Sequence, residues 1–467
     1  MSPKTELTPA EKETQTKKFR DYINEKVANA KTALAELDAY TQEQVDALAK
    51  ACARTIFDNA EELARDAVAE TQLGTVEFKT MKNRNKAKII WWSLKGKKSV
   101  GIIERDEEAG LVKVAKPVGV VGAITPMTNP IVTVMSNAMF AIKGRNPIIF
   151  SVHPKALECS KKTVRYLQAA LEKLNAPKNT IQLLEIPSIE LTQMLASSVD
   201  VIIATGGMDM VRAVYSSGKP ALGVGAGNVQ VLVDTDVDYA TVVPKIVTGR
   251  AFDNGIVCTS EQSAVLPRCD WDAILKLFPA NKAFVVPASQ RDALRDASFP
   301  GGKMNRDLVG KNAIEVAKAA GINVPADTSI LVVEATGRDD VLGSEKMFPV
   351  LSVYPYDTWE EAVEIARNNL NKIGKGHSIA VHSNNREHVE YAGIKTEVSR
   401  IVVNQQCAST GGGSFQNGLS PTNTLGCGSW GNNSISENLT YYHLINISRI
   451  AYFQDKKKVP SDEEIWA

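Results

Sequence analysis

The chain has 467 residues, 44% of them hydrophobic and 23% charged, which is typical of a globular protein with two or three domains. Its 54 lysines and arginines almost balance 53 aspartates and glutamates, so the net charge of +1 attracts neither nucleic acid nor an anionic membrane. The sequence shows neither a stretch of roughly 20 apolar residues nor the basic-then-apolar layout of a secretory signal. We therefore expect a cytoplasmic protein whose partners are small molecules.

The six cysteines are scattered, with no C-x-x-C pair and no histidine at ligand spacing. This pattern predicts neither a zinc site nor a disulfide framework, and no metal is expected. Most of the thiols are expected to be packing residues, with room for one that does chemistry. They are Cys52, Cys159, Cys258, Cys269, Cys407 and Cys427.

The first periodic segment follows Thr41, which forms a capping-box pattern with Gln44. Apolar residues then recur at steps of three and four from Val45 to Ala67, and this spacing predicts one long amphipathic helix. Two β-prone runs surround a polar turn within Lys98–Lys116, which predicts a hairpin.

From Val118 onward, short apolar runs alternate with helical patterns, which predicts βαβ units and a parallel sheet. Ligands bind at the carboxyl ends of such strands, where the loops T-P-M-T-N-P, V-H-P-K and T-G-G lie. A second α/β passage runs from Val229 to the strand I-V-V-N at Ile401. Gly-rich loops and the apolar run Leu444–Tyr452 follow it.

Cys258 lies in D-N-G-I-V-C-T-S-E-Q, between a predicted helix at Tyr239–Arg250 and a predicted strand at Ser263–Leu266. A thiol on a loop between two rigid elements can face a substrate, whereas a thiol on the apolar face of a helix usually cannot. On this pattern alone, the side chain is either a nucleophile or a small buried hydrophobe.

Seven motifs occur in order over roughly residues 40 to 452, and together they resemble the CoA-acylating aldehyde dehydrogenases. Within that family the similarity is greatest to succinate-semialdehyde and sulfoacetaldehyde dehydrogenases and to the aldehyde dehydrogenase half of bifunctional alcohol/aldehyde enzymes. The motifs are K-P-V-G-V-V-G-A-I-T-P-M-T-N-P, A-T-G-G, G-V-G-A-G-N, F-D-N-G-I-V-C-T-S-E-Q, E-K-M-F-P-V, G-K-G-H-S and L-G-C-G-S-W-G-N-N-S-I-S-E-N.

The resemblance implies an α/β fold of the aldehyde dehydrogenase type with three parts. A Rossmann-like domain for the cofactor and CoA is expected over residues 1–97, 118–228 and 413–443, and an α/β catalytic domain over 229–412. Residues 98–117 and 444–456 are expected to form a small β arm. We expect the strands of this arm to pair between subunits, because they are too apolar to remain sheet edges, and so to build a homodimer or homotetramer.

The resemblance also implies a reaction and its catalytic residues. Cys258 would be the nucleophile that adds to the aldehyde. Hydride transfer to the nicotinamide would then leave a thioester on Cys258, which the thiol of CoA cleaves. Asn129 would donate to the oxyanion, although a residue before Pro130 at a helix entry can equally be an N-cap. His377 in G-K-G-H-S would take the proton of CoA; the alternative is a structural histidine.

NADP or NAD is the cofactor that the resemblance implies, with CoA as co-substrate. Glu345 in E-K-M-F-P-V would hold the nicotinamide ribose, and Gly206 with Gly207 would receive a phosphate at a helix N-terminus. The loops supply the remaining candidates for cofactor binding. These are Thr125, Pro126, His153, Lys155 and Gly225.

The sequence differs from related enzymes at two positions that bear on the choice of cofactor and of acyl acceptor. The K-P-x-E motif of NAD-preferring relatives is replaced by His153–Ala156, in which Ala156 removes a repelling carboxylate and Lys155 can attract a 2′-phosphate. We therefore expect NADP to be accepted. Val224 stands where hydrolytic relatives carry the glutamate that activates water, which favours CoA as the acyl acceptor over hydrolysis.

The substrate is expected to be a small aldehyde with an anionic tail, such as succinate semialdehyde or sulfoacetaldehyde. A short alkyl aldehyde such as acetaldehyde is the first alternative, and a non-acylating aldehyde dehydrogenase the second. A third alternative, which is not an enzyme, is a catalytically inactive relative that serves as a scaffold or interaction partner. Residues available for substrate binding are Arg145, Thr259, Ser260 and Ser409.

Overall fold

The structure is a computed structural model that describes residues 8–467. The predicted first domain begins at residue 1, so its first seven residues lie outside the described part. Four helices precede the first strand. They are α1 (Pro9–Leu37), α2 (Gln42–Asp58), α3 (Ala60–Thr71) and α4 (Val76–Leu94).

The predicted capping box is confirmed, because the Thr41 hydroxyl accepts from the Gln44 N–H while the Gln44 side chain accepts from the Thr41 N–H. The prediction of one long helix is wrong, since the helix breaks at Asn59. The Asn59 side chain donates to the carbonyl of Thr55 at 2.8 Å, and such local bonds compete with helix continuation. The buried stripe continues through both helices, so periodicity alone does not reveal the break.

The hairpin is present as β1 (Gly101–Asp106) and β2 (Leu111–Pro117). Five parallel strands follow in the order β5-β4-β3-β6-β7. Their long central strands are buried throughout, as expected where helices cover both faces. The elements are β3 (Val121–Thr125), α5 (Pro130–Lys143), β4 (Ile148–Val152), α6 (Leu157–Glu172), β5 (Ile181–Leu183), α7 (Ile189–Ser198), β6 (Val201–Ala204), α8 (Met208–Tyr215) and β7 (Ala221–Gly223).

A second parallel sheet has seven strands in the order β10-β11-β12-β9-β8-β13-β14. Its elements are β8 (Val229–Val233), α9 (Tyr239–Ala251), β9 (Glu261–Pro267), α10 (Trp271–Leu275), α11 (Leu277–Ala280), β10 (Ala283–Val285), α12 (Arg291–Ser298), α13 (Ala313–Ala319), β11 (Ile330–Glu334), β12 (Val350–Tyr356), α14 (Trp359–Lys372), β13 (Gly376–His382), α15 (Arg386–Lys395), β14 (Val398–Val403) and α16 (Cys407–Thr410). Separate buried apolar clusters line the two sheets, so each has its own core.

The chain then returns to the hairpin as β15 (Ile445–Ala451) and ends with α17 (Asp462–Trp466). β15 pairs antiparallel with β2 over seven residue pairs, giving a three-stranded sheet in the order β1-β2-β15. The hairpin and the terminal strand thus form one sheet within the chain, in which β2 is central and β1 and β15 are the edges. The prediction that this arm pairs between subunits stays a prediction.

Loops from both parallel sheets lie where ligands bind in such folds. T-P-M-T-N-P follows β3, V-H-P-K follows β4 and T-G-G follows β6, all at the carboxyl edge of the first sheet. The Cys258 loop lies between α9 and β9 of the second sheet. Within residues 8–467, none of the helices is both long and apolar enough to cross a membrane.

Candidate active site

The loop that carries Cys258 begins with a turn of unusual backbone conformation. Asp253 and Asn254 have φ of 51° and 54°, and Gly255 has φ of 72°, so three successive residues are left-handed. A residue other than glycine adopts this conformation at a cost of roughly 1 kcal/mol. The cost is offset at Asp253, whose buried carboxylate forms ion pairs with Lys79 and Lys82 of α4.

Cys258 and Asn129 line one cavity of about 350 Å³ between the two sheets. Asn129 occupies the N-cap position of α5, but its side chain makes no capping hydrogen bond. Its Oδ1 instead accepts from Lys82 Nζ at 2.5 Å, and its Nδ2 donates to Thr128 Oγ1 at 3.3 Å. The amide therefore does not cap the helix and belongs to the cavity that Cys258 also lines.

The Cys258 side chain is partly exposed and is not in a disulfide. Burial raises the pKa of its thiol to about 12, and the nearby Glu345 and Cys427 raise it further while Arg400 opposes them. The resting thiol is therefore protonated near neutral pH, and a bound cation or a base is needed to favour the thiolate.

Glu345 is partly buried and lies close enough to Cys258 to raise the pKa of its thiol. Burial raises the pKa of its carboxyl to about 7, although a hydrogen bond from the Gly227 N–H and the charge of Arg250 oppose the rise. A carboxylate in this place has free acceptor capacity for ribose hydroxyls.

The residues of the first sheet that are predicted to bind the cofactor lie at its carboxyl edge, where there is space for a ligand. A Cβ atom added to Gly206 or Gly207 would meet no atom of the described side chains and backbone within 4 Å, which leaves their backbone accessible from that side. Thr125 is buried at the end of β3, and its hydroxyl finds no partner among the described residues. Accessible backbone and an unpartnered hydroxyl at this edge fit a dinucleotide.

The other cofactor candidates occupy neighbouring loops. His153 Nδ1 accepts from the Lys155 N–H at 3.1 Å, and the Lys155 side chain is exposed. Ala156 is fully buried in the core, so a side chain larger than alanine does not fit there. Pro126 is partly buried after β3, and the Gly225 N–H donates to Cys427 Sγ at 3.4 Å.

Of the predicted substrate residues, the structure places Thr259 and Ser409 at the cavity. Ser260 is fully buried and does not line it. Arg145 lies elsewhere, where its guanidinium pairs with Asp38 and donates to the carbonyl of Ala115. Arg145 is therefore a structural residue near the arm, and we do not retain it for substrate binding.

His377 is not brought to the cavity either. It is 1% exposed in β13, and both ring nitrogens lack a partner among the described residues. Burial and the neighbouring Arg400 hold the pKa of its imidazole well below the ordinary value. A neutral imidazole is able to accept a proton, so its role toward CoA stays a prediction.

Sequence reasoning missed the lysines of α4. Lys82 and Lys86 line the cavity together with the apolar residues Phe78 and Met81. Lys79, Lys82 and Lys86 recur at steps of three and four, which places them on one helical face, and this spacing was the available signal. No group of three or more potential metal ligands occurs in the described part of the chain.

The fold and the site are those of an α/β protein in which two parallel sheets carry a thiol and an amide at a shared cavity. The chain belongs to the aldehyde dehydrogenase family, which matches residues 2–417. It is 52% identical, over 95% of its length and 98% of the relative's, to a succinate-semialdehyde dehydrogenase (acetylating) of Clostridium kluyveri. The resemblance inferred from the motifs is confirmed.

Solved structures agree with this assignment. An acetylating aldehyde dehydrogenase from Geobacillus thermoglucosidasius superimposes with a TM-score of 0.91 at 36% identity, covering 96% of this chain and 99% of that one. A propionaldehyde dehydrogenase from Rhodopseudomonas palustris with bound propionyl-CoA gives a TM-score of 0.84 at 26% identity, covering 92% and 94%. The predicted fold class is confirmed, whereas the domain boundaries stay a prediction.

Proposed function

We propose that the protein is a CoA-acylating aldehyde dehydrogenase for a small aldehyde with an anionic tail. It converts the aldehyde, CoA and NAD(P)+ reversibly to acyl-CoA and NAD(P)H. Succinate semialdehyde is the first substrate and sulfoacetaldehyde the second. The presence of Cys258 and Lys86 in one cavity carries the proposal, and the name of the 52% identical relative and the CoA-bound neighbour support it.

Lys86 provides the cation for the tail. Its Nζ donates to the carbonyls of Gly412 at 2.8 Å and Thr422 at 3.1 Å, which leaves one of three donors free. It forms no ion pair with a carboxylate in residues 8–467. Burial, together with the nearby Lys82, lowers the pKa of the Lys86 ammonium group to about 8. An anionic ligand beside it would raise this pKa and favour the charged form.

The reaction begins when the Cys258 thiolate forms a bond to the aldehyde carbon. Asn129 Nδ2 and the Cys258 N–H donate to the resulting oxyanion. Glu345 and the Gly206–Gly207 backbone would hold the nicotinamide nucleotide, which would supply the hydride acceptor needed to oxidise the Cys258 adduct to a thioester. The Cys258 thioester that remains is attacked by the thiol of CoA, whose proton leaves to a base, and the Cys258 thiolate departs.

The competing hydrolytic reaction lacks a base. Val224 is 7% exposed and apolar, and it stands where a glutamate would activate water. A CoA thiol has a pKa near 8.5 against roughly 15.7 for water, so it is the better nucleophile without a base. This difference in pKa favours transfer of the acyl group to CoA over hydrolysis of the thioester.

The arm is proposed to join subunits in a homodimer, or in a homotetramer made of two such dimers. β1 and β15 are the edges of its three-stranded sheet, and their backbone groups are available to a second subunit. Ile102 and Ile450 are 43% and 44% exposed on these strands, and Phe453 is 93% exposed just after β15. A light-scattering mass of one chain at micromolar concentration would contradict this assembly.

The activity is tested by nicotinamide absorbance with succinate semialdehyde, sulfoacetaldehyde and acetaldehyde, each with and without CoA. We expect a CoA-dependent rise that is fastest with an anionic aldehyde. A rise independent of CoA would favour a non-acylating enzyme, and no rise with any aldehyde would favour an inactive relative. Intact-protein mass spectrometry after acyl-CoA should show an adduct on wild type and none on Cys258→Ser.

A further inference from the structure

Lys82 connects the amide of Asn129 to a buried carboxylate. Its Nζ lies 2.5 Å from Asn129 Oδ1 and 2.7 Å from Asp253 Oδ2. Lys82 is 8% exposed and Asp253 is fully buried, so water competes little for either contact. Lys82 and Asn129 both line the cavity that contains Cys258.

An ammonium group only donates hydrogen bonds, and in an amide only the oxygen accepts them. The contact with Lys82 therefore fixes which end of the Asn129 amide is Oδ1. Nδ2 must lie on the opposite side, where it donates one hydrogen to Thr128 Oγ1 at an N···O distance of 3.3 Å and keeps the other for a ligand. The same contact polarises the amide and strengthens its N–H as a donor.

We propose that Lys82 is a positioning residue, which holds the Asn129 amide with its N–H toward the oxyanion that forms on Cys258. The inference rests on the proposed function, because Asn129 has an oxyanion to bind only if Cys258 attacks a carbonyl carbon. It assigns to Lys82 a role different from that of Lys86, which has no carboxylate partner in the described structure.

Asp253 forms an ion pair with Lys82 and holds it in place. Burial by itself would raise the pKa of this carboxyl, but Lys82 and Lys79 hold it below the ordinary value. Asp253 lies five residues before Cys258, and Lys79 also donates to the carbonyl of Thr128 at 3.1 Å. Lys82 thus joins the nucleophile loop to the Asn129 side chain, whereas Lys79 joins that loop only to the backbone of Thr128.

Lys79 is the matched control for Lys82. It lies one turn earlier in α4, is equally buried and pairs with the same oxygen of Asp253 at 3.1 Å. It does not contact the Asn129 side chain. A purely structural or electrostatic role of the cluster predicts equal effects of Lys79→Met and Lys82→Met, whereas amide positioning predicts a larger effect of Lys82→Met.

The first measurement is a double-mutant cycle with Lys82→Met and Asn129→Ala, with kcat and KM measured for the aldehyde at saturating CoA. Removal of one oxyanion donor typically lowers kcat by 10² to 10³, so we expect about 100-fold for Asn129→Ala and about 30-fold for Lys82→Met. In the Asn129→Ala background Lys82→Met should cost less than about threefold, because the positioned group is gone. KM should change little, and Lys82→Arg should recover part of kcat.

The second measurement is the infrared carbonyl band of the isotope-labelled acyl-enzyme on Cys258. Donors at the oxygen lower its frequency, so Lys82→Met and Asn129→Ala should both shift it upward, and each by more than Lys79→Met does. If Lys82→Met fails to fold, Asn129→Asp replaces it in the test. This variant keeps a partner for Lys82 but removes the donor, so it should behave like Asn129→Ala.

Additive losses in the cycle, or equal shifts for Lys79→Met and Lys82→Met, would overturn the positioning role. A wild type without an acyl adduct would overturn the proposed function as well, and the two failures are thereby distinguished.

Discussion

A Cβ atom added to Gly227 would lie 1.9 Å from the carbonyl oxygen of Cys258, so the backbones of these two residues are in direct contact. The Gly227 N–H also lowers the pKa of the Glu345 carboxyl. One glycine therefore lies beside both the loop of the nucleophile and the glutamate proposed to hold the cofactor. Because the obstructing atom is backbone, a side chain at this position forces the Cys258 loop to move.

Gly227→Ala should therefore lower kcat by about 100-fold, since a displacement of about 1 Å at a reacting group is sufficient for such a loss. Overpacking of this kind costs about 1–3 kcal/mol of stability, so the variant should still fold. Gly418→Ala is the control, because the residue is exposed and an added Cβ there meets no described atom within 4 Å. Steady-state kinetics with thermal unfolding measures both effects; wild-type kcat in Gly227→Ala would show that the loop tolerates displacement.

Lys86→Met should raise KM for succinate semialdehyde by about 10- to 100-fold, corresponding to the loss of a charge-assisted hydrogen bond of about 1.5–3 kcal/mol. Acetaldehyde has no anionic tail, so its kinetics should change less than threefold. Lys88→Met removes an exposed lysine of the same helix and serves as the control. Equal losses for both aldehydes would remove Lys86 from tail recognition.

Alkylation of Cys258 in the free enzyme should rise with pH. Because the pKa of the thiol is raised to about 12, the thiolate fraction increases about tenfold per pH unit from pH 7 to 10. Iodoacetamide modification followed by peptide mass spectrometry measures this rate for Cys258 separately from the exposed Cys269. A plateau near pH 8 would instead mean that a neighbouring positive charge activates the resting thiol.

The sequence predicted the structure correctly where a hydrophobic pattern is compatible with only one arrangement of strands and helices. The motif loops follow β3, β4 and β6 as predicted, because alternating buried strands and helices leave little choice of topology. The break at Asn59 was missed because both helices continue the same buried stripe. The pairing of β15 with β2 was missed because an apolar edge strand reads the same whether its partner lies in the same chain or in another.

The candidate site was predictable only in part, for a related reason. The motifs indicated Cys258 and Asn129, which the structure brings to one cavity. Spacing shows that Lys82 and Lys86 share a helical face, but not which element that face packs against. Arg145 was misplaced because charge alone does not tell a substrate cation from one that pairs with Asp38.

Lys155→Glu should lower the catalytic efficiency with NADP+ by at least about tenfold, or about 1.4 kcal/mol, and leave NAD+ within about threefold. Lys155 is exposed after β4, whereas Ala156 is buried, so Lys155 is the position where charge can change without disturbing the core. Lys173→Glu makes the same charge change at the end of α6 and controls for the overall field. A wild type already strictly dependent on NAD+ would contradict this account of the coenzyme.

Val224→Glu should create hydrolysis that does not need CoA. Val224 is anchored beside the end of β6, where its N–H donates to the carbonyl of Ala204 at 3.1 Å. Burial at this position raises the pKa of an introduced carboxyl toward neutrality, which is the range in which a carboxylate is an effective general base for water. Free acid should then form from the aldehyde and NAD(P)+ in the absence of CoA, at a rate that increases with pH as the carboxyl ionises.

The control for this variant is Val224→Gln, which adds the same volume and polarity without a base. It should form no more free acid than wild type, because water remains unactivated at the thioester. Chromatographic quantification of free acid and acyl-CoA under saturating CoA separates the two acceptors. If wild type already releases free acid as fast as acyl-CoA, the residue at position 224 is not what suppresses hydrolysis, and the thiol of CoA has no kinetic advantage at Cys258.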